Sequence, residues 1–236
     1  MDTHSHTYNK CVVRVTQIEA FRRFIHNSEY DRYQITEQSV IDSITGHFRG
    51  NEYTRIGTAF HKIVEEGDCS LPYNPDTHGY NIDVDGNIVK FTMEQARVAL
   101  DYRDEHWGAF HEVRRYKDYG RAIVTGCADM IDGIELRDIK TKYSTPSDKD
   151  YIDSCQWRYY LDIFNACVFH FDLFIFEGYK IDKHGYDVRG LELKRHTPPI
   201  TCYRYPGMEA DNLALINEFM DFCESRNLTQ YLRFSE

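Results

Sequence analysis

The sequence has no surplus of basic residues: 28 Lys and Arg stand against 38 Asp and Glu, a formal net charge of −10. A protein that coats duplex DNA without regard to sequence is basic, so this balance counts against that class. It leaves room for a local basic groove, because acids that hold a metal also lower the total. No apolar run approaches the ~18 residues of a membrane span, and no membrane partner is expected. The opening Met-Asp-Thr-His-Ser-His lacks both the basic and the apolar region of a secretory signal, so a cytoplasmic protein is expected. The seven cysteines, Cys11, Cys69, Cys127, Cys155, Cys167, Cys202 and Cys223, are odd in number and form no Cys-x-x-Cys pair. That argues against a disulfide framework and a zinc ribbon; they read as small buried residues in a reducing compartment. A Gly-x-x-x-x-Gly-Lys-Ser/Thr phosphate loop is also missing, so any ATPase function would sit on a separate chain.

What is present is enough apolar material, 42% of 236 residues, for one well-buried α/β domain. The reading is a single domain over 1–236, with residues 1–50 a helical N-terminal flank and 177–236 a C-terminal strand and helix extension. The most informative stretch runs from Gly126 to Tyr143. Apolar-rich runs flank Asp132-Gly133, a strong signal for a type I′ hairpin, which predicts strands over Ala122–Ile131 and Ile134–Tyr143. Counting outward from that turn sets Ile131 against Ile134, Asp138 against Cys127 and Lys140 against Thr125. Asp129, Asp138 and Lys140 then project from one face, with the two acids about 7–8 Å apart at Cα. Two carboxylates and a lysine beside Cys127, Ile131 and Leu136 are costly unless something neutralises them, and a divalent cation is the simplest candidate.

Taken in order, a helix capped by Thr16 carries Ile18, Phe21, Phe24 and Ile25, and a second is predicted over Thr36–Phe48. A third carries Ala59, Phe60, Ile63 and Val64 and ends at Gly67. On it Gly57, His61 and Glu65 share a face, and the glycine permits close approach to another backbone or a ligand. The Asp-, Asn- and Gly-rich segment from Gly67 to Lys90 reads as a long loop or small hairpin turning at Asp85-Gly86. Asp83, Asp85 and Asn87 resemble a calcium loop with Glu94 twelfth, but the sixth position is Ile88, where glycine is required. A helix from Thr92 to Trp107, a strand over 110–116, a helix over 151–164 and a buried strand over Val168–Phe176 follow. Two more strands are predicted around Gly185–Arg195 and Ile200–Tyr205, then a closing helix over Met208–Ser225. Basic residues gather at Arg114, Arg115, Lys117 and Arg121 before the hairpin and at Lys140, Lys142 and Lys149 in or after it.

Four short patterns therefore stand in one order: Gly57-x-x-x-His61, Gly126-x-x-Asp129, Asp138-Ile139-Lys140 and Gln156-x-x-x-Tyr160. This order resembles the PD-(D/E)XK nuclease superfamily and, within it, the RecB-type exonucleases, including stand-alone recombination exonucleases of phage type. The match spans about Arg55 to Phe176. A second acid-x-lysine, Glu192-Leu193-Lys194, lacks this company.

The resemblance implies a restriction-endonuclease-like α/β fold: a central mixed sheet, built from an antiparallel meander followed by a helix and a further strand, with helices on its flanks. It implies His61, Asp129, Asp138 and the Ile139 carbonyl as ligands of magnesium or manganese, and Lys140 as the group that orients or deprotonates the attacking water. Gln156 and Tyr160 would position nucleic acid or brace the site, with Glu112 an accessory acid. Carboxylates and water suit magnesium or manganese, one imidazole favours manganese, and bound metal gives Lys140 a reason for a lowered pKa. Some members hold an iron–sulfur cluster through a C-terminal cysteine trio. This chain has no trio, so no cluster is expected. The expected activity is exonucleolytic hydrolysis of DNA in recombination, repair or replication, in company with a helicase or recombination protein or further copies of the chain. A catalytically silent DNA- or helicase-binding module and a structure-specific endonuclease are the alternatives.

Overall fold

The computed structural model describes residues 10–27, 35–47, 50–67, 71–76 and 78–232. The polar arm at 1–9, the Phe48 end of the second helix and Cys69 lie outside them. The chain opens with β1 (Cys11–Arg14), α1 (Val15–Ile25), α2 (Glu37–Thr45) and α3 (Glu52–Glu66). A small antiparallel sheet, β2 (Tyr73–Asn74), β3 (Gly79–Val84) and β4 (Asn87–Thr92), leads to α4 (Met93–Glu105). The meander is β5 (Phe110–Asp118), β6 (Ala122–Asp132) and β7 (Glu135–Lys142). Helices α5 (Asp148–Ile152) and α6 (Gln156–Phe164) cross over to β8 (Val168–Phe176), which lies parallel to β7, as a crossover of that length allows. A one-turn α7 (Ile181–His184), β9 (Leu193–Arg195), β10 (Ile200–Tyr203) and α8 (Met208–Ser225) complete the chain. The result is an α/β protein with a seven-stranded mixed central sheet flanked by helices.

The sheet has a core on each face. Strand β8 explains why its sequence is almost continuously apolar: Phe169, Phe171 and Leu173 enter one core while Phe174 and Phe176 enter the other. The first core packs α1, α2, α6 and α8, through residues such as Ile18, Val40, Tyr159 and Phe219. The second packs α3, α4 and the small sheet, through Phe60, Ala99 and Phe91.

The edge of β6 opposite β5 is shared. Strand β1 takes Ala122–Thr125 in parallel, and β7 takes Met130–Asp132 antiparallel. Between them the Gly126–Asp129 edge has no strand partner among the described residues, and β7 leaves β6 to pair along its length with β8. The functional geometry is built around this opening.

Several expectations change in detail. Strand β1 was not foreseen in Cys11-Val12-Val13, because four residues running straight into a helix are too short for alternation and its partner lies over a hundred residues on. The β6–β7 turn is centred on Gly133-Ile134, so the register is displaced by two residues and Ile131 faces Leu136. Only Gly133 has positive φ (60°), the pattern of a type II′ turn, and the Ile134 side chain stands in solvent. At Asp85-Gly86 both residues have positive φ, 53° and 78°, as a type I′ turn requires. There the Asp83 carboxylate accepts the Gly86 N–H as part of a hairpin. The strand expected over 185–195 contracts to β9 behind α7, where Gly185 takes positive φ. Met93 on α4 and Leu213 on α8 are exposed despite their apolar side chains.

Candidate metal centre

Helix α3 is laid against β7 by three matched contacts. Tyr53, Gly57 and His61 stand four residues apart on one helix face, and Tyr143, Thr141 and Ile139 stand two apart along the end of β7. At one end, His61 Nε2 lies 2.8 Å from the Ile139 carbonyl oxygen. In the middle, a Cβ on Gly57 would come within 3.0 Å of Thr141 Oγ1, so glycine sets how closely helix and strand approach. At the other end, the Tyr143 hydroxyl donates to the Tyr53 carbonyl at 2.9 Å and the two rings meet at 4.8 Å.

The acids come from the opening beside β6. Asp129 takes the place of a missing ladder bond: its Oδ2 accepts the Ile139 N–H at 2.8 Å, across the gap where β6 and β7 part. Side-chain alternation slips at this residue, since Ala128 packs in one core and Met130, two positions on, in the other. The opposing position on β5 is Glu112, which drops out of the otherwise regular β5–β6 ladder and holds φ at 51°. A non-glycine residue in the left-handed region inside a strand is strained, and such strain collects at functional sites. The distortion brings His61, Glu112 and Asp129 together, with one ligand atom from each within 4.8 Å of the others.

Asp138 and Lys140 sit alongside. Asp138 is 4% exposed, with its Oδ1 accepting from Lys140 Nζ at 2.9 Å and Gln156 Nε2 at 3.0 Å. Its Oδ2 contacts Lys140 Nζ at 2.8 Å but is buried and receives no well-directed hydrogen bond. Burial, reinforced by the charge on Asp129, pushes the Asp138 carboxyl up to about 6 against the pull of Lys140 and His61. For Lys140 burial acts downward, yet Asp138 and Asp129 outweigh it and hold the ammonium above its ordinary value.

Tyr160 works from the other face of the sheet. Its ring fills the space left by Gly126, where a Cβ would lie 3.3 Å from the ring, and its hydroxyl donates to the Cys127 carbonyl at 2.8 Å. That carbonyl lies on the stretch of β6 between β1 and β7, so Tyr160 satisfies a backbone group there. Burial, with Asp138 and Asp129 nearby, raises the phenol far above its usual range and keeps it a donor.

Beside this group runs a cleft of about 830 Å³ whose walls include His61, Glu112, Ile139 and Lys140, continuing past Lys142 to Tyr53. The donors fit a divalent cation. Three ligand atoms within 4.8 Å of one another are close enough that side-chain shifts of under about an ångström would bring all of them to roughly 2.1 Å from a common ion. The buried Asp138 Oδ2 is a further acceptor lacking a directed donor, and one imidazole among carboxylates suits manganese or magnesium. With His61 Nε2–H donated to Ile139, Nδ1 remains as the ring's acceptor, 3.7 Å from Asp129 Oδ2.

Of the residues singled out in the sequence, His61, Asp129, Asp138, Ile139, Lys140, Gln156, Tyr160 and Glu112 all meet at this opening. Glu112 moves from the margin to the centre of the group, and Thr141, Lys142 and Tyr143 join the cleft wall. The basic cluster before the hairpin is largely engaged elsewhere. Lys117 pairs with Asp162, Arg121 pairs with Asp221 and Glu224, and Arg115 lies over the Phe164 ring. Lys194 of the second acid-x-lysine is tied to Glu177 and Glu192.

No protein-family model and no curated protein matches the chain. Among solved structures, the crystal structure of SSO0001 overlays with a TM-score of 0.42 at 16% identity, covering 92% of this chain and 79% of that one. The crystal structure of the Eubacterium rectale protein named "Putative exonuclease" overlays with a TM-score of 0.48 at 13% identity, covering 99% and 89%. Likenesses of this degree assign no chemistry to the cleft, which is defined by its own residues. Among the described residues, no helix is long and apolar enough to cross a membrane.

Proposed function

We propose that the chain is a divalent-metal-dependent nuclease of the PD-(D/E)XK superfamily, of the RecB-type exonuclease group, that hydrolyses DNA phosphodiesters. The observation that carries this reading is the meeting of four separate sequence patterns at one opening in the sheet. Glu112, Asp129 and Asp138 come from three successive strands, His61 comes from a helix on one face, and Gln156 and Tyr160 come from a helix on the other. A binding module has no evident need for Lys140 beside a buried carboxylate, and this favours catalysis over a silent domain.

His61, Glu112 and Asp129, with Asp138 beside them, would hold a magnesium or manganese ion, which would supply Lewis-acid polarisation of a phosphodiester and make the attacking water easier to deprotonate. The chain's own groups do the rest. Gln156 and Lys140 fix the Asp138 carboxylate from two sides. Lys140, about a third exposed at the cleft, places an ammonium donor where negative charge builds on the attacked phosphate. Tyr160 holds the β6 backbone that carries Asp129.

The test is degradation of linear and closed circular DNA in magnesium or manganese. The wild type should shorten linear DNA, and Asp138→Ala or Lys140→Ala should lower the rate at least a hundredfold in protein that still unfolds cooperatively. Full activity in both folded variants would remove the reading, and cutting of the closed circle would make the enzyme an endonuclease.

A further inference from the structure

We propose that the far end of the cleft is a nucleobase subsite in which Tyr53 stacks a base of an unpaired DNA strand whose scissile phosphate lies at the His61–Glu112–Asp129 group. Its position relative to the scissile bond rests on the nuclease reading above. Tyr53 stands eight residues before His61 on the same face of α3, about 12 Å along a helix rising 1.5 Å per residue. Tyr143 stands four residues beyond Ile139, about 13 Å along an extended chain. Both measures place the tyrosine pair at about the same distance from the His61–Ile139 contact, and the cleft runs continuously between them. At roughly 3.4 Å per stacked nucleotide that distance spans three to four nucleotides, and fewer if the strand is stretched.

The tyrosines are built as a platform. Tyr143 lies nearly parallel to Phe176 at 6.1 Å, meets Tyr179 at 4.7 Å and is pinned by its hydrogen bond to the Tyr53 carbonyl. Tyr179 in turn donates to the Gly185 carbonyl at 2.8 Å and meets Tyr53 at 5.4 Å. Phe176 and Tyr179 are buried and Tyr143 is half-buried, while Tyr53 remains 38% exposed at the cleft. An aromatic surface supported from behind and open in front suits a flat π-face, and base–aromatic stacking is tolerant of sequence. Between platform and acids the wall carries Lys140 and Lys142, cations suited to the intervening phosphates. Paired bases are already stacked on their own neighbours, so an aromatic inside a cleft of this size selects a strand whose bases are free.

Two measurements test the subsite. In EDTA, a fluorescent single-stranded oligonucleotide should bind Tyr53→Ala about 5- to 150-fold more weakly than wild type, with Tyr53→Trp restoring affinity, as expected from about 1–3 kcal/mol per stacked base. In manganese, oligonucleotides with one abasic site moved stepwise from the cut should show a raised KM at a single position two to four nucleotides away. That penalty should vanish in Tyr53→Ala, an outcome that loosened folding would not produce. Unchanged binding in Tyr53→Ala, or an abasic penalty that persists in it, overturns the subsite. Tyr53-dependent binding without cleavage by the wild type would instead retain the subsite as a strand-binding site and remove the nuclease reading.

Discussion

Glu112 takes a left-handed conformation in the middle of a strand, and its worth to the molecule can be separated from that of its carboxylate. An L-residue there costs about 1–2 kcal/mol, which glycine escapes, while glycine gives back roughly 0.4–1 kcal/mol through the freedom of the unfolded chain. Glu112→Gly should therefore unfold later in urea than Glu112→Ala, by about 0.5–1 kcal/mol. Both should lose manganese binding by calorimetry. Equal unfolding midpoints would mean that the backbone at Glu112 is relaxed. His61 was legible because a glycine one turn earlier marks a helix face that approaches closely. Glu112 was reached only as an accessory acid, through the family resemblance, because strand periodicity assigns side chains to alternate faces and has no symbol for a residue that breaks the alternation. Asp129 joins His61 and Glu112 through a slipped β6 and not through the regular face first inferred, and Asp138 stands beside that group without being part of it.

At the scale of elements, two Asp-Gly pairs followed different rules for a physical reason. Asp85 is free to adopt positive φ in its hairpin. The Asp132 carboxylate is held by the His106 Nδ1–H at 2.6 Å, with Arg137 Nε 4.0 Å away, so Asp132 stays in the strand and the turn moves on by one residue. Helices with full amphipathic stripes and side-chain caps, such as α3 behind Asn51 and α4 behind Thr92, were readable locally. The sharing of one β6 edge by two strands was not, because it is a long-range agreement among three segments. Tyr160 is the residue that completes that edge. Tyr160→Phe should destabilise the protein by about 1–3 kcal/mol in urea unfolding, since it leaves the Cys127 carbonyl without its donor in a confined space. A change under a few tenths would show that water replaces the hydroxyl freely.

For the whole molecule, attachment of the α1 layer to the helix that carries Gln156 and Tyr160 depends on Glu19. Its carboxylate accepts the Cys155 N–H at 2.9 Å, at the start of α6, and takes two bonds from Arg22 at 2.9 and 2.8 Å. Burial alone would raise this carboxyl, but Arg22 and Cys155 overcome it and hold it below the ordinary value. A depressed folded-state pKa contributes stability that is present above the unfolded-state pKa, near 4.3, and is lost as pH falls through the folded value. Urea midpoints measured from pH 6 downward should therefore fall more steeply for wild type than for Glu19→Gln. The variant should be the less stable at pH 6 and the difference should shrink toward pH 3. Parallel curves would show that Glu19 adds nothing to the acid sensitivity.

The unpaired stretch of β6 acts as a window through the sheet. His61 reaches Ile139 from the layer of α3, and Gln156 reaches Asp138 from the layer of α6, so whatever occupies the window is gripped from both sides at once. A cation seated there would behave as a rivet joining the two hydrophobic halves across the strands between them. Its contribution to thermal stability should then appear as one displaced melting transition of the entire chain, with no separate early melting of either half.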